Sequence, residues 1–124
     1  MENICLGNIT IDCENAVALR DFYAGLLGWT PDAIQGHPVL RGPAGLLLLF
    51  NAADFGYERP VWPEEAGKQQ KQMHFDFHVD DLAAATARAQ ALGARLAKTQ
   101  FGGGRYTTLL DPEGHPFCLC RKDG

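Results

Sequence analysis

The feature that most constrains this 124-residue chain is a pattern that occurs twice along it. From residue 8 the sequence reads NITIDCENAVALRDFYAGLLGW, and from residue 74 it reads HFDFHVDDLAAATARAQALGA, an offset of 66 residues. Each copy begins with alternating polar and apolar residues, as in a half-buried strand, and continues with apolar residues at helical spacing. We therefore expect each copy to form a strand followed by a helix.

The two predicted helices share their apolar spacing and their end signals. The apolar positions are Ala16, Leu19, Tyr23 and Leu26 in the first copy, and Leu82, Ala85, Ala89 and Leu92 in the second. Asn15 and Asp81 stand before the helices as candidate N-caps. Gly28 and Gly93 follow the apolar patterns, and we expect the helices to end there.

A second recurring pattern closes each copy. GPAG at 42–45 precedes the apolar run LLLLFN, and DPEG at 111–114 precedes HPFCLC, now at an offset of 69 residues. Proline and glycine two residues apart are typical of a turn, so each motif predicts a turn before a final strand. Residues 30–41 and 94–110 are each long enough for two strands. The sequence thus predicts an α+β fold of two βαβββ modules.

These boundaries divide a single predicted domain, residues 1–124, into module one at about 4–52 and module two at about 72–122. The linker, about 53–71, mixes aromatic, proline and charged residues without periodicity. A loop of this length is often functional. We leave two interpretations open, a plain tether and a lid or dimer arm. The aromatic residues that would serve a lid or arm are Phe55, Tyr57 and Trp62.

Composition excludes several functional classes. A net charge of −4 with dispersed basic residues argues against nucleic-acid binding. No apolar run approaches the roughly 18 residues of a membrane span, and the first residues do not resemble an export signal. The cysteines, Cys5, Cys13, Cys118 and Cys120, lie in apolar or alternating segments without a CxxC pair. We therefore expect reduced thiols in a cytoplasmic protein that does not associate with membranes.

The segments RDFYAGLLGW, HFDFHVDDLAAATARAQALGA and DPEGHPFCL, within two βαβββ modules, resemble the vicinal oxygen chelate superfamily. This superfamily includes glyoxalase I, bleomycin-resistance proteins and extradiol dioxygenases, and the resemblance extends from about residue 4 to 121. The chain is most similar to its small bacterial glyoxalase-like domain proteins. The resemblance implies a cupped, open eight-stranded sheet with helices outside, a small ligand in the cup and a homodimer.

Strand alternation predicts which side chains face this cup. Six polar residues lie on the side of the opening strands away from the helices: Asn8, Thr10, Asp12, His74, Asp76 and His78. Because dry burial of so many polar groups would be costly, we expect a face that is solvated or that binds a polar ligand. A solvent-facing strand without function remains the alternative. The glycine-rich segment FGGGR at 101–105 predicts a hairpin with Tyr106 near the mouth of the cup.

The resemblance also implies four metal-ligand positions, which in this sequence are Asn8, Leu49, His74 and Cys118. Metal-dependent members carry His or Gln, Glu, His and Glu there, so only His74 is retained. A metal site normally needs at least three protein donors. One imidazole and a possible thiolate fall short unless Asp12, Asp76 or His78 joins them. We therefore expect neither a metal cofactor nor metal-dependent glyoxalase or dioxygenase activity, although a divalent metal remains an alternative.

The leading prediction is a small-molecule binding protein of the bleomycin-resistance type that holds an organic ligand in a polar cup. The predicted ligand-binding residues are Asn8, Thr10, Asp12, Leu49, His74, Asp76, His78, Tyr106 and Cys118. One alternative is a lyase or isomerase of a small oxygenated metabolite, with His74 as base or metal ligand and His78 and Asp76 as further catalytic candidates. The other is a structural or regulatory dimer whose cup is vestigial.

Overall fold

The computed structural model describes residues 3–122, which form eight strands and two α-helices. The elements are β1 (Ile9–Cys13), α1 (Ala16–Leu27), β2 (Thr30–Ile34), β3 (His37–Arg41), β4 (Leu47–Ala52), β5 (Phe75–Val79), α2 (Leu82–Ala91), β6 (Arg95–Leu96), β7 (Tyr106–Leu110) and β8 (Pro116–Arg121). One turn of 3-10 helix, Pro43–Gly45, precedes β4. The α+β class and the two βαβββ modules are confirmed.

The strands form two four-stranded sheets, with the orders β1-β4-β3-β2 and β5-β8-β7-β6. In each sheet the opening strand pairs in parallel with the closing strand, and the other pairs are antiparallel. The chain divides into two compact units between Tyr57 and Glu58, inside the predicted linker. Each unit is a module with its own sheet; a cup formed by both sheets and a single domain stay predictions.

The parallel pairs have the same register in both modules. Thr10 pairs with Leu49 in the first, and Asp76 pairs with Cys118 in the second. These residues are related by the same offsets, 66 and 69, that relate the two sequence patterns. The offsets that relate the two sequence patterns therefore also relate residues at equivalent places in the two parallel strand pairs.

Side-chain caps begin both helices as predicted. The Asn15 side chain accepts a hydrogen bond from the Ala18 backbone N–H at 3.1 Å, and Asp81 accepts one from Ala84 at 3.0 Å. Each cap satisfies one of the backbone donors that the first helical turn leaves without a partner. The two caps thus fix the residue at which each helix begins after its opening strand.

We expect Asn15→Ala to lower the free energy of unfolding by about 1 kcal/mol, because alanine offers no acceptor for the Ala18 N–H. Urea denaturation of the full chain measures the change. Asn15→Asp keeps the acceptor and is the matched control, expected to stay within about 0.5 kcal/mol of the unsubstituted protein. Equal stability of all three proteins would contradict the cap.

The two helices end differently. α1 ends at Leu27, with Gly28 as a left-handed C-cap at φ 72° that donates its N–H to Ala24, as the sequence predicts. α2 ends at Ala91, and Leu92 is its C-cap. The predicted stop, Gly93, follows one residue later in the left-handed region at φ 117°. Leu92 therefore lies outside the helix and is 38% exposed.

The two closing turns share one hydrogen-bonding pattern. The Gly42 N–H donates to the Leu46 carbonyl at 2.8 Å, and Asp111 donates to His115 at 2.9 Å. In the second turn the buried Asp111 carboxylate also accepts backbone N–H groups from Glu113 and His115. These bonds satisfy a charge that would otherwise be costly to bury. The predicted turns before the final strands are confirmed.

The core of the first module joins α1 to the sheet. Leu19, Phe22 and Tyr23 are the buried residues of the helix, and Phe22 adds a position that the predicted spacing omits. The Tyr23 ring stacks at 6.3 Å from the ring of Phe50, on β4. Because side chains alternate along a strand, Leu49 points to the opposite face of the sheet.

The core of the second module is built in the same way. The Phe77 ring lies 5.9 Å from the Phe117 ring, and both Phe117 and Leu119 are buried. Ala89 is the buried residue of α2. The odd-numbered residues of β5 therefore face the core, and its even-numbered polar residues lie on the other face. Among residues 3–122, no helix is both long enough and apolar enough to cross a membrane.

Candidate functional site

The candidate site lies on the polar face of the second sheet, opposite the face that carries Phe77 and Phe117. Directly paired residues on neighbouring strands point to the same side of a sheet. Two rows of paired residues cross this face: Asp76, Cys118 and Thr108, followed by His78, Cys120 and Tyr106. The parallel pairing of β5 with β8 therefore brings polar groups together that are 42 residues apart in sequence.

A cavity of about 540 Å³ lies against this face. Seven of its lining residues come from the sheet or directly precede it: His74, Asp76, His78, Tyr106, Thr108, Cys118 and Cys120. Trp62 and Phe101 come from loops. Five of the nine predicted ligand-binding residues thus line one pocket, namely His74, Asp76, His78, Tyr106 and Cys118. Their binding of a ligand stays a prediction.

The other four predicted residues, Asn8, Thr10, Asp12 and Leu49, lie in the first module. The Asn8 side-chain amide donates to the Thr10 hydroxyl at 2.8 Å, and the Asp12 carboxylate accepts from the Asn51 amide at 3.1 Å. Leu49 is half-buried. The Asn8, Thr10 and Asp12 side chains are exposed and hydrogen-bonded within the first module, and their contact with a ligand also stays a prediction.

Four pocket residues were missing from the predicted site: Trp62, Phe101, Thr108 and Cys120. Thr108 and Cys120 carried a usable signal, because they continue the alternation of Tyr106 and Cys118 along β7 and β8. Trp62 was predicted only as part of a possible lid or arm, and Phe101 as the start of a hairpin. Their loops have no periodicity from which a direction could be read.

The Trp62 indole is held by contacts within its own loop and with the glycine-rich hairpin. Its ring lies perpendicular to the Phe101 ring, with centroids 6.3 Å apart. The Lys71 ammonium lies 4.7 Å from the Trp62 ring centroid and pairs with Glu64 at 2.6 Å. The Val61 N–H donates to the Gln69 carbonyl at 2.8 Å and closes the loop. This part of the linker is therefore a folded wall of the pocket.

His74 and Asp76 form a hydrogen-bonded pair at the sheet face. The His74 Nε2 lies 3.1 Å from Asp76 Oδ1, and the side chains are 26% and 60% exposed. The other ring nitrogen, Nδ1, is buried and has no hydrogen-bond partner among residues 3–122. One nitrogen is thus engaged by a carboxylate and the other is closed to a substrate. This arrangement does not favour His74 as a general base in this conformation.

Cys118 is a buried thiol next to this pair. Burial raises the pKa of the Cys118 thiol, the hydrogen bond with Thr108 at 3.3 Å acts in the opposite direction, and the Asp76 charge adds to the increase. Burial also raises the pKa of Cys120, with Asp76 and then Cys118 adding to it. Because the thiolate is the reactive form, neither cysteine is poised as a nucleophile.

This face of the sheet brings together three possible metal ligands, the number that the sequence analysis required for a metal site. One donor atom from each of His74, Asp76 and Cys118 lies within 4.8 Å of the others. Asp76 is therefore a third possible metal ligand in module two, in addition to His74 and Cys118. A nitrogen, an oxygen and a sulfur donor together fit Zn²⁺ better than a hard cation, which prefers oxygen ligands alone.

A model of the glyoxalase-like domain family matches residues 8–120 of this chain. The chain belongs to that family. The resemblance to the vicinal oxygen chelate superfamily is thereby confirmed for this glyoxalase-like domain.

Among curated proteins, the glyoxalase-like domain is similar to the anthracycline biosynthesis protein DnrV of Streptomyces peucetius. The two are 30% identical over 122 residues, which cover 87% of this chain and 43% of DnrV. The chain thus spans less than half the length of that relative.

Two solved structures share the fold of this glyoxalase-like domain. A glyoxalase/bleomycin resistance protein/dioxygenase family enzyme from Burkholderia phytofirmans PsJN has a TM-score of 0.66 and 22% identity, with 93% of this chain and 96% of that chain covered. TnmS3, an antibiotic binding protein from Streptomyces sp. CB03234, has a TM-score of 0.61 and 18% identity, with 98% of each chain covered. At these identities the likeness concerns the fold alone.

Proposed function

We propose that this glyoxalase-like protein binds a planar, oxygen-bearing organic molecule in the pocket of its second module. The observation that carries the proposal is the composition of the pocket, in which polar strand residues meet loop-borne aromatic rings. Pockets for drug-sized ligands have volumes of about 300–1,000 Å³ and combine apolar walls with a few polar groups. A cavity of about 540 Å³ lies within that range.

The aromatic side chains suit a flat ligand. Trp62, Phe101 and Tyr106 all line the cavity, and aromatic rings gain attraction from offset or edge-on contact beyond that of buried area alone. The ammonium of Lys71 and the ring of Phe101 already orient the Trp62 indole. Little ordering of Trp62 is then needed when a ligand binds, which favours affinity.

The polar side chains suit hydroxyl and carbonyl oxygens. Asp76 is 60% exposed and can accept hydrogen bonds from hydroxyl groups, whereas His78 can donate to carbonyl oxygens. The lyase or isomerase alternative would need a base with a free lone pair. Both nitrogens of His74 are occupied or closed, so the geometry does not favour His74 as that base.

The names of the similar proteins support this ligand class. DnrV is an anthracycline biosynthesis protein and TnmS3 an antibiotic binding protein. An anthracycline is a fused-ring, oxygen-rich planar compound of the kind that the pocket suits. We therefore choose an anthracycline as the first probe, together with a panel of other planar aromatic antibiotics.

Trp62→Ala is expected to weaken binding of the probe about tenfold, because the loss of a stacked aromatic ring costs about 1–3 kcal/mol. Isothermal titration calorimetry measures the affinity. Trp29→Phe is the matched control, because Trp29 is the other tryptophan of the chain and packs against Gly42 in the first module. We expect this control to bind as the unsubstituted protein does.

Two results would contradict the proposal. One is the absence of any melting-temperature increase across the whole panel at ligand concentrations well above the protein concentration. The other is equal affinity of the unsubstituted protein and Trp62→Ala for a compound that does bind. The first result would favour the alternative in which the cup is vestigial. The second would show that the compound binds somewhere other than this pocket.

We further propose that the two modules arose by internal duplication and that the protein works as a cytoplasmic homodimer. The equal strand orders and registers of the modules support duplication. Within residues 3–122 the four cysteines form no disulfide, which is compatible with a reducing compartment. Light scattering coupled to size exclusion tests the dimer, for which we expect twice the 13.5 kDa chain mass.

A further inference from the structure

We propose that the pocket of the second module selects planar compounds that carry a protonated amine on a substituent, and that the Asp76 carboxylate pairs with the ammonium group. This inference rests on the proposed function, because it names the charge of the ligand that the same pocket binds. Three features of the pocket support it: the sign of its charge, the state of the His74 ring and the distance from Asp76 to the aromatic wall.

The side chains around the cavity favour a cation over an anion. Among residues 3–122, the cavity lining includes one carboxylate, Asp76, and no lysine or arginine. Lys71 contacts the wall at Trp62, but its ammonium is paired with Glu64 at 2.6 Å and lies outside the lining. An anionic ligand would therefore be repelled by Asp76, whereas an ammonium group would be attracted to it.

The His74 ring does not cancel the negative charge of Asp76. Its Nε2 lies 3.1 Å from Asp76 Oδ1, and its Nδ1 is buried without a hydrogen-bond partner among residues 3–122. A protonated imidazole would place an N–H at Nδ1, and burial of a donor without an acceptor is costly. The neutral ring, which donates from Nε2 to the carboxylate, has no such buried donor. Asp76 thus keeps its charge towards the cavity.

The field of Asp76 reaches both thiols of this sheet face. Burial is the main cause that raises the pKa of Cys118 and the pKa of Cys120, and the charge of Asp76 adds to both increases. Both thiols therefore stay protonated near neutral pH and carry no charge. The same field that disfavours a thiolate beside Asp76 favours a cation in the cavity.

The strand spacing sets the distance between Asp76 and the aromatic wall. Asp76 lies on β5 and Tyr106 on β7, with β8 between them. Neighbouring strands are about 4.8 Å apart, so the two backbones are separated by roughly 10 Å. A substituent that carries the amine can span this distance from a ring in contact with Tyr106. An amine attached directly to an aromatic ring is only weakly basic, so a saturated substituent is also where a charged amine is expected.

The test compares an anthracycline that has a primary amine on its sugar with the N-acetylated form of the same compound. N-acetylation removes the positive charge and leaves the ring system unchanged. Isothermal titration calorimetry of the full chain is expected to show about tenfold weaker binding of the acetylated form. This factor is at the lower end for a hydrogen bond to a charged group, because Asp76 is 60% exposed and water competes for it.

Asp76→Asn removes the charge and keeps an oxygen that can accept a hydrogen bond from His74. We expect this variant to bind the amine form about tenfold more weakly, and to bind the acetylated form within about twofold of the unsubstituted protein. Near-normal binding of the acetylated form also shows that the variant is folded.

Asp80→Asn is the matched control for the change in net charge. Asp80 follows the same strand, is 86% exposed, pairs with Lys122 at 3.2 Å and lies outside the cavity lining. We expect this variant to bind both forms of the compound as the unsubstituted protein does.

Salt concentration gives a second readout, because salt screens the attraction between charges that remain in contact with water. From roughly 0.01 to 1 M sodium chloride, the affinity of the unsubstituted protein for the amine form is expected to fall. The acetylated form should show a weaker dependence on salt, and so should the amine form with Asp76→Asn.

The inference is overturned if the unsubstituted protein binds the two forms equally, or if Asp80→Asn weakens binding of the amine form as much as Asp76→Asn does. In both cases a compound binds, so the proposed organic-ligand function is not contradicted and only its charge preference is wrong. Failure of both anthracycline forms to bind also overturns the inference. If no compound of the antibiotic panel binds either, the proposed function fails as well.

Discussion

Phe117→Ala is expected to lower the free energy of unfolding by about 3–5 kcal/mol, the usual cost of removing a buried phenylalanine ring. Phe117 has no exposed surface, lies 5.9 Å from the Phe77 ring and belongs to the central strand β8 of the second sheet. Loss of the ring removes buried apolar area and leaves a cavity that the surrounding sheet can fill only in part. Urea denaturation followed by circular dichroism measures the change.

Phe55→Ala is the matched control for this substitution. Phe55 is fully exposed, so the same chemical change removes no packing, and we expect the free energy of unfolding to change by less than about 0.5 kcal/mol. Similar losses for the two variants would show that Phe117 does not pack as described. Because Phe117 lies next to Cys118, Phe117→Ala also tests whether the pocket face depends on the core behind it.

Gly102→Ala is expected both to destabilise the second module and to weaken binding of the organic probe. A Cβ atom at Gly102 would overlap the backbone carbonyl oxygen of Tyr106, an atom that no side-chain rotation can move away. The hairpin that ends in Tyr106 must therefore shift. Overpacking of this kind typically costs about 1–3 kcal/mol. Because Phe101 and Tyr106 both line the cavity, the shift also changes its aromatic wall.

Gly103→Ala is the control that separates the clash from backbone strain. Gly103 has φ 58°, where alanine is strained by about 1–2 kcal/mol, but its Cβ would enter open space. Denaturation and calorimetry with the anthracycline probe should therefore show near-normal affinity for Gly103→Ala and weak binding for Gly102→Ala. Equal affinities would contradict the role that we assign to the close approach of Gly102 to Tyr106.

The two modules were predictable because their signals are local. Alternation of period two along β1 and β5, helical spacing in α1 and α2, and proline–glycine turns can each be read within a few residues. The same alternation correctly placed Asp76 opposite Phe77 on its strand. The end of α2 was displaced by one residue because Leu92, instead of Gly93, provides the C-cap.

The pocket depended on contacts that no local pattern encodes. Trp62 lies in a loop without periodicity, and its position follows from a Val61–Gln69 hydrogen bond and from contacts with Lys71 and Phe101. The sequence analysis counted too few metal ligands for a site for the same reason, because it could not see contacts between distant segments. The separation in sequence between Asp76 and Cys118 concealed that they are direct partners across a parallel pair.

The sequence by itself determined the repeated βαβββ order, the family, and the face of each opening strand on which polar groups lie. These follow from periodicity and from motifs, which depend on neighbouring residues. The tertiary structure alone decided which polar groups meet and which rings enclose them. Strand register and loop conformation place residues 74, 76 and 118 at one point and bring the Trp62 and Phe101 rings into contact. Such proximity is a property of the folded chain, because it depends on the packing of segments that are distant in sequence.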